Sequence, residues 1–251
     1  MRRDVLMRNG ALLRNGAFAQ NSVAMRACAL FGMMAGVLCL AGLAGVARAT
    51  VDPVKATAPR MEFVPPAPGS YKLQRIQSVA DAVLLDSAGR PVKLSALTSG
   101  KITLLTFFYT YCVDPLGCPF AHTTLAHLRD RVRGDAALAG RVRFVSVSLD
   151  PTHDTPAVIA DYGKEFNVDP KFEWRFVTAR RVPDLLPVLD DFGQDVSVVT
   201  DEQGRPTRTM HHMLKIFLID AHGEVREIYT LSFIQPQVMF NDIKTLAMEG
   251  R

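Results

Sequence analysis

Two cysteines are the first feature of this sequence that could do chemistry. Cys112 and Cys118 are separated by the five residues VDPLG and directly follow an apolar run. Such a pair can form a disulfide, act as a redox couple or bind a soft metal ion as thiolates. A purely stabilising disulfide is disfavoured, because it would close a loop of only about seven residues and short loops gain the least stability. Pro115 and Gly117 favour a turn that presents both sulfurs on one loop.

A metal site would need a third donor, and two adjacent histidines are candidates. His211 and His212 lie in TMHHMLKIFLID (209–220), at the entrance to an apolar strand. If that strand lies beside the apolar run before Cys112, the imidazoles and the sulfurs can meet. Successive side chains of a strand point to opposite sides, so we expect only one of the two histidines to reach the cysteines. Thiolate donors favour Cu(I), with zinc as the usual rival.

The elements that must position these residues alternate between strands and helices. ITLLTFFYT (102–110) is almost entirely apolar and predicts a strand buried on both faces. Residues 119–132 have apolar side chains at helical spacing, with a proline near the start. The cysteines therefore lie at the carboxyl end of a strand, where sites assemble in open α/β sheets. A helix N-terminus at that point also supports a thiolate.

The remaining chain continues the same alternation. Further strands are predicted at 141–150, 175–179, 213–220 and 225–230, further helices at 154–167, 182–193 and 235–250, and hairpins around 87–89 and across 195–212. This order predicts an α/β sandwich that begins with a hairpin.

Charge separates the N-terminus from the rest of the chain. The formal net charge is +4, but residues 1–49 hold six Arg and one Asp, which leaves 23 basic and 24 acidic side chains in the remainder. A nearly neutral domain gives no support for nucleic-acid binding. The basic residues precede an uncharged apolar stretch, 27–47, and a small-x-small pattern at 47–49. Residues 1–49 therefore predict a signal peptide or an N-terminal membrane anchor, and an exported, periplasmic protein.

Export also bears on the number and the oxidation state of the cysteines. Cys28 and Cys39 lie in the export segment, so the exported part keeps only Cys112 and Cys118. In an oxidising compartment such a pair forms a disulfide unless a reductant keeps it open. Residues 50–70 are rich in Pro and Ala and predict a linker, and residues 71–251 predict the folded domain.

Several segments, in order, resemble the Sco/SenC copper chaperones, a family of thioredoxin-like proteins. VLLDSAGRPVKLSAL resembles the opening hairpin of that family, and KITLLTFFYTYC resembles its strand running into the first metal cysteine. CPF (118–120) resembles the second cysteine and its following proline. VSVSLDPTHDTP is similar to the family's Asp-Pro-x-x-Asp-Thr-Pro string, and HMLKIFLIDAHGEV resembles the segment that begins with the metal histidine.

The resemblance covers roughly residues 71–249 and implies a fold, a cargo and partners. The fold would be thioredoxin-like, a central mixed sheet flanked by helices with an N-terminal hairpin extension. Cys112, Cys118 and His212 would bind copper. The partners would be an apo copper-site acceptor such as a cytochrome c oxidase subunit, and a thiol reductant protein. The cysteine spacing departs from the family, which usually has three intervening residues with Pro after the first cysteine, whereas Val113 follows Cys112 here.

Two functions use these same residues. The first is a metallochaperone, not an enzyme, that holds copper and passes it to an acceptor. The second is a thiol–disulfide oxidoreductase in which Cys112 and Cys118 form a redox-active disulfide and keep the cysteines of the acceptor reduced. The longer spacing leaves open a relative whose task is thiol redox. A histidine at the strand entrance favours the metal, because a redox enzyme does not need it.

Overall fold

The computed structural model describes residues 62–249, and its centre is the apolar strand that precedes the cysteines. The predicted export segment 1–49, with Cys28 and Cys39, lies outside the described residues, as does the predicted linker up to residue 61. The central strand, β4 (Ile102–Phe108), is buried at every position, as the unbroken apolar run predicts.

In the described part of the chain, eight strands form one mixed sheet and two form a separate hairpin. The strands of the sheet are β1 (Gln77–Ser78), β2 (Val83–Asp86), β3 (Pro91–Lys93), β4, β5 (Val142–Ser148), β6 (Trp174–Thr178), β9 (Lys215–Ile219) and β10 (Glu224–Thr230). Their order is β1-β10-β9-β4-β5-β6-β2-β3. β4, β5 and β6 are parallel, whereas β9, β10 and the β2–β3 hairpin join antiparallel. The remaining hairpin is β7 (Val196–Thr200) with β8 (Pro206–His212).

Within residues 62–249, five α-helices accompany the sheet. They are α1 (Leu94–Thr98), α2 (Cys118–Gly134), α3 (Pro156–Gly163), α4 (Val182–Asp191) and α5 (Pro236–Glu249). Pro119 occupies the first turn of α2, where a missing N–H costs nothing. The predicted helical face of α2 is confirmed, since Leu125, Leu128 and Val132 are all buried.

Two adjacent phenylalanines show how the helices cover both faces of the sheet. Phe108 packs on the rings of His122 in α2 and Tyr162 in α3. Phe107 points the other way, as neighbours on a strand must, and packs on Phe192 at the end of α4. The core is therefore divided by β4 into two layers, and the predicted α/β fold is confirmed.

The pairing of β4 with β9 decides where the predicted ligands can meet. The two strands are antiparallel, with Thr103 opposite Ile219 and Thr106 opposite Ile216. The end of β4 therefore lies beside the start of β9, which directly follows His212, Met213 and Leu214 along the chain. This is the condition that the sequence argument required.

Three local features were not predicted. The short strand β1 pairs with the first residues of β10, and α1 follows the N-terminal hairpin. The helix predicted at 154–167 ends at Gly163, where a Cβ would lie 2.9 Å from the ring of Phe176. Glycine thus allows α3 to approach β6 closely.

The end of the predicted linker contacts the last helix. The side-chain amide of Asn241 donates to the carbonyl of Pro66 at 2.8 Å, and the N–H of Gly69 donates to Thr245 Oγ1 at 3.0 Å. Across residues 62–249, every helix falls short of the length and apolar character that crossing a bilayer requires.

Candidate metal centre

The two cysteines lie at the two ends of a tight loop between β4 and α2. Cys118 is the first residue of α2 and is buried, whereas Cys112 is half-buried, and both are free thiols. Asp114 organises the loop, since its carbonyl accepts from the N–H of Gly117 at 3.0 Å and its side chain from the N–H of Leu116 at 3.0 Å. A Cβ on Gly117 would lie 3.2 Å from Cys112 Sγ, so this glycine lets the loop close around the sulfur.

The electrostatics of the pair favour one thiolate. The pKa of Cys112 is lowered to about 5, mainly because the Cys118 thiol hydrogen-bonds to it, while burial opposes the shift. The hydroxyl of Tyr109 and the N–H groups of Cys118 and Asp114 add to the stabilisation. The same hydrogen bond and burial raise the pKa of Cys118 well above its ordinary value. The pair therefore shares one proton, with the negative charge on the more exposed sulfur.

Tyr109 is a site residue that the sequence argument missed. Its hydroxyl hydrogen-bonds to Cys112 and accepts from the N–H of Met210 in β8, and burial is the main cause of its raised pKa. Its ring lies edge-on to His212 with the centroids 6.0 Å apart. Tyr109 therefore connects the cysteine loop to the hairpin that carries the histidines.

The two histidines lie on opposite sides of β8 and differ in burial. His211 is exposed, whereas His212 is half-buried on the same side of β8 as Met210, which packs on the core. Nδ1 of His212 lies 3.4 Å from the carbonyl of Met213. A carbonyl can only accept, so Nδ1 carries the hydrogen and Nε2 keeps its lone pair. Burial lowers the pKa of His212, which keeps the ring neutral.

The three predicted ligands gather at one end of the sheet without forming a closed site. The sulfurs adjoin each other, and His212 is close enough for the Cys112 charge to raise its pKa against the effect of burial. Among residues 62–249, however, no three His, Cys, Asp or Glu side chains are clustered tightly enough to hold a metal ion. Coordination by all three stays a prediction, and it requires a shift of the cysteine loop or of the end of β8.

Two aspartates between β5 and α3 anchor the start of the cysteine loop. Asp154 is fully buried and accepts from Thr110 Oγ1 at 2.6 Å, from the N–H of Thr110 at 3.2 Å and from Ser148 at 2.7 Å. Asp150 accepts from the hydroxyl of Tyr111 at 2.6 Å. The sequence signal was the string DPTHDTP, which contributed to the resemblance without suggesting this role.

A second connection joins β8 to the same loop. The guanidinium of Arg208 lies over the ring of Tyr111, 4.8 Å from its centroid, and its Nη2 lies 3.4 Å from Nε2 of His153. The ring of His153 in turn packs edge-on against Tyr111 at 4.6 Å. The hairpin and the loop are thus held together at two points, by Tyr109 and by Tyr111.

Fold and site together define a class of protein. A mixed sheet flanked by helices, with two free cysteines at a strand–helix junction and a neutral imidazole nearby, is a thioredoxin-like fold with a dithiol at one end of its sheet. The sequence profile of the SCO1/SenC family matches residues 73–248. The chain therefore belongs to the SCO1/SenC family, and the predicted family resemblance is confirmed.

Individual relatives agree with this assignment. A SCO2-like protein of Rickettsia felis is 25% identical over 162 residues, which is 63% of this chain and 72% of that protein. Bradyrhizobium japonicum ScoI, solved with copper bound, is 26% identical with a TM-score of 0.54 and covers 66% of this chain and 98% of its own. BsSco, described as having a disulfide switch and as a member of the Sco family of cytochrome c oxidase assembly proteins, shares the fold. It is 20% identical with a TM-score of 0.55 and covers 70% of this chain and 97% of its own.

Proposed function

We propose that this protein is an exported copper chaperone that binds copper through Cys112, Cys118 and His212 and delivers it to a respiratory copper site. The observation that carries the proposal is the position of two free cysteines beside a neutral, half-buried imidazole at one end of a thioredoxin-like sheet. The copper bound to Bradyrhizobium japonicum ScoI supports the choice of metal. The predicted export segment, residues 1–49, fits a periplasmic location, either soluble or anchored.

The donor set matches the cargo. Two sulfurs and one imidazole are soft to intermediate ligands, which suit copper better than hard cations. The half-buried Cys112 already favours the thiolate, so binding there requires little proton release. A third donor that must move into place makes the site open, and an open site allows an acceptor to exchange its own ligands for those of the chaperone.

The dithiol also couples copper loading to redox state. A disulfide between Cys112 and Cys118 removes both thiolates, so only the reduced pair binds the metal. A thiol reductant protein would therefore control loading. The family's association with cytochrome c oxidase assembly, stated for BsSco, makes an apo copper site of an oxidase subunit the acceptor of choice.

Anaerobic copper titration of the reduced protein tests the proposal. We expect one copper per chain, with sulfur ligation visible by X-ray absorption spectroscopy. Cys112→Ser should abolish tight binding and also disulfide formation. Val113→Ser is the matched control, because Val113 lies in the same loop, is exposed and offers no donor. Tight copper binding by Cys112→Ser would refute the proposed donor set.

A second function, thiol–disulfide oxidoreductase, is favoured by one observation. The pKa of Cys112 is lowered to about 5 while Cys118 is buried and keeps its proton, which is the arrangement of an attacking and a resolving thiol. In that case, the reduced protein would transfer electrons to an oxidised acceptor, forming its own disulfide as the acceptor disulfide opens. Such activity would not require His212.

A further inference from the structure

One half of the edge strand β10 lacks a neighbour. On its inner side β10 pairs with β9 from Val225 to Thr230. On its outer side β1 pairs only with Glu224 and Val225. Within the part of the chain that the structure describes, no other strand pairs with residues 227–230. These four residues span about 13 Å of open edge, since a strand rises about 3.3 Å per residue.

A side chain of β10 itself occupies a backbone donor on the open edge. The backbone N–H of Ile228 donates to Oε1 of Glu227 at 2.9 Å. A bulge between Val225 and Glu227 precedes this point. Charged side chains and bulges are the usual devices by which proteins keep an exposed edge from pairing indiscriminately. The carboxylate therefore occupies the place that a carbonyl of an added strand would take.

An apolar groove of about 580 Å³ runs beside this edge. It lies between β10, the short 3₁₀ turn Leu231–Phe233 and α5, and residues 62–63 close its rim. Phe63 and Phe233 are 59% and 69% exposed, while Ile228 and Val238 line the groove at half burial. Two exposed phenylalanines beside an unpaired edge form an apolar patch of the kind that binding sites present.

The charged side chains that line the groove are all acidic. Glu62, Glu227 and Asp242 line it, and none of its lining residues is basic. Asp242 is not available to a ligand, because it accepts hydrogen bonds from the hydroxyls of Tyr71 and Tyr229. Glu62 and Glu227 remain as negative charges at the rim. A second copy of this chain would bring the same carboxylates against each other, so the charges favour a basic partner.

We propose that residues 227–230 of β10 bind an extended segment of a partner protein as an added strand, with apolar side chains alternating with Lys or Arg. A carbonyl of the segment accepts from the N–H of Ile228 and displaces the Glu227 carboxylate. The freed carboxylate pairs with a basic side chain of the segment. Its apolar side chains pack on Phe63 and Phe233. Main-chain hydrogen bonds supply affinity in this mode and the side-chain pockets supply selectivity.

This surface lies at the same end of the sheet as the cysteines. Thr230 pairs with Lys215, three residues beyond His212. A partner held by β10 would therefore have its neighbouring residues near the dithiol. The proposal does not depend on copper, and metal-free protein is sufficient to test it.

The test uses a synthetic hexapeptide that alternates valine and lysine. Amide NMR of the labelled metal-free protein should show shifts centred on residues 227–233 and slower hydrogen exchange at Ile228. Two control peptides separate the contributions: one with alternate amides N-methylated, and one with glutamate in place of lysine. We expect affinity to fall about tenfold or more for each. Equal binding of either control, or no binding of the first peptide, would overturn the proposal.

Two variants with matched controls locate the site. Phe233→Ser and Glu227→Gln should each weaken binding about tenfold. Val168→Ser and Glu202→Gln remove an exposed apolar group and an exposed charge elsewhere on the surface and should leave the affinity unchanged. Unchanged binding in both groove variants would refute the assignment, as would sedimentation showing that the chain pairs with itself through this edge.

Discussion

Two imidazoles, one in α2 and one at the end of β8, have opposite environments, and each has a tyrosine beside it. His122, four residues after Cys118, is completely buried. Its Nδ1 lies 2.8 Å from the hydroxyl of Tyr162 and its Nε2 lies 3.2 Å from Ser146 Oγ. His212 is half-buried, engages only Nδ1, and is arranged edge-to-face with the ring of Tyr109, whose hydroxyl is directed to Cys112.

A free lone pair, rather than the presence of an imidazole, distinguishes the proposed ligand His212 from the core residue His122. Both rings are kept neutral by burial, which lowers the pKa of His122 to about 3 and also lowers that of His212. The hydroxyl of Tyr162 hydrogen-bonds to a nitrogen of His122, whereas the hydroxyl of Tyr109 hydrogen-bonds to Cys112. The region around His122 is therefore fully packed, with both ring nitrogens engaged. The region around His212 leaves Nε2 of that ring and the sulfur of Cys112 available.

The largest expected effect comes from His122→Ala, which tests the fully packed region. It should lower the free energy of unfolding by about 3–5 kcal/mol, because it creates a cavity among aromatic rings and removes a partner from Tyr162 and Ser146. Denaturant unfolding measures this change. His127→Ala is the matched control on the exposed side of the same helix and should change stability little. Lost copper affinity without lost stability would reverse the roles assigned to the two imidazoles.

The same histidine predicts how acid affects stability. Its folded pKa of about 3 lies below the ordinary histidine value of 6.5, so the unfolded chain binds a proton first as the pH falls. The contribution of neutral His122 is complete above pH 6.5 and is lost as the pH falls toward 3. His122→Ala should therefore show a shallower loss of stability over that range.

A smaller effect, on copper alone, is expected for His212→Ala. Losing one of three donors should weaken copper binding about 10- to 100-fold with little change in unfolding free energy. Competition with a chromophoric copper chelator measures the affinity. His211→Ala is the control, because its ring points to the opposite, exposed side. If both variants bind copper like the parent, the available nitrogen of His212 has no part in the site.

This variant also separates the two candidate functions. A chaperone that lacks His212 should fail to load its acceptor at limiting copper. An oxidoreductase should still reduce an oxidised acceptor at the parental rate. Full reductase activity together with unchanged acceptor metallation would favour the enzyme.

The smallest effect is expected for Tyr109→Phe, which removes one hydrogen bond from Cys112. The apparent pKa of the thiol should rise by about one unit toward its ordinary value. Thiolate ultraviolet absorbance of the reduced, metal-free protein measures it. Tyr111→Phe is the control, since that hydroxyl donates to Asp150. An unchanged titration in Tyr109→Phe would remove this tyrosine from the electrostatics of the dithiol.

The sign of the linked stability change follows from the shift. The folded pKa of Cys112, about 5, lies below the ordinary cysteine value of 9.0. The stabilisation by its thiolate is therefore complete above pH 9.0 and is lost as the pH falls toward 5. Tyr109→Phe should reduce this pH-dependent part.

Local patterns were enough to predict most elements of the fold. The apolar run 102–110 contains β4, and the periodic segment after Cys118 forms α2. Both were predictable because the pattern of apolar residues that are close in sequence shows whether a segment is buried on both faces or along one side of a helix. The helix ending at Gly163 was predicted too long, since its end depends on contact with Phe176, a residue of another element.

The candidate site was predictable in part. The spacing singled out Cys112 and Cys118, and strand alternation predicted that only one of the two histidines would reach them. The resemblance to a family selected His212 rather than His211. Tyr109 and Asp154 were missed, because their importance arises only when β8 and the loop after β5 fold against the cysteine loop. Neither residue differs from an ordinary core or turn residue in sequence.

The sequence by itself determined which donors exist and which elements carry them, because residue type and periodicity are local properties. Only the tertiary structure decided which donors are free to act. The antiparallel pairing of β4 with β9 brings together residues a hundred positions apart, and packing engages both nitrogens of His122 while sparing one of His212. Hydrogen-bond partners and burial set a lone pair's availability, and both are supplied by distant parts of the chain.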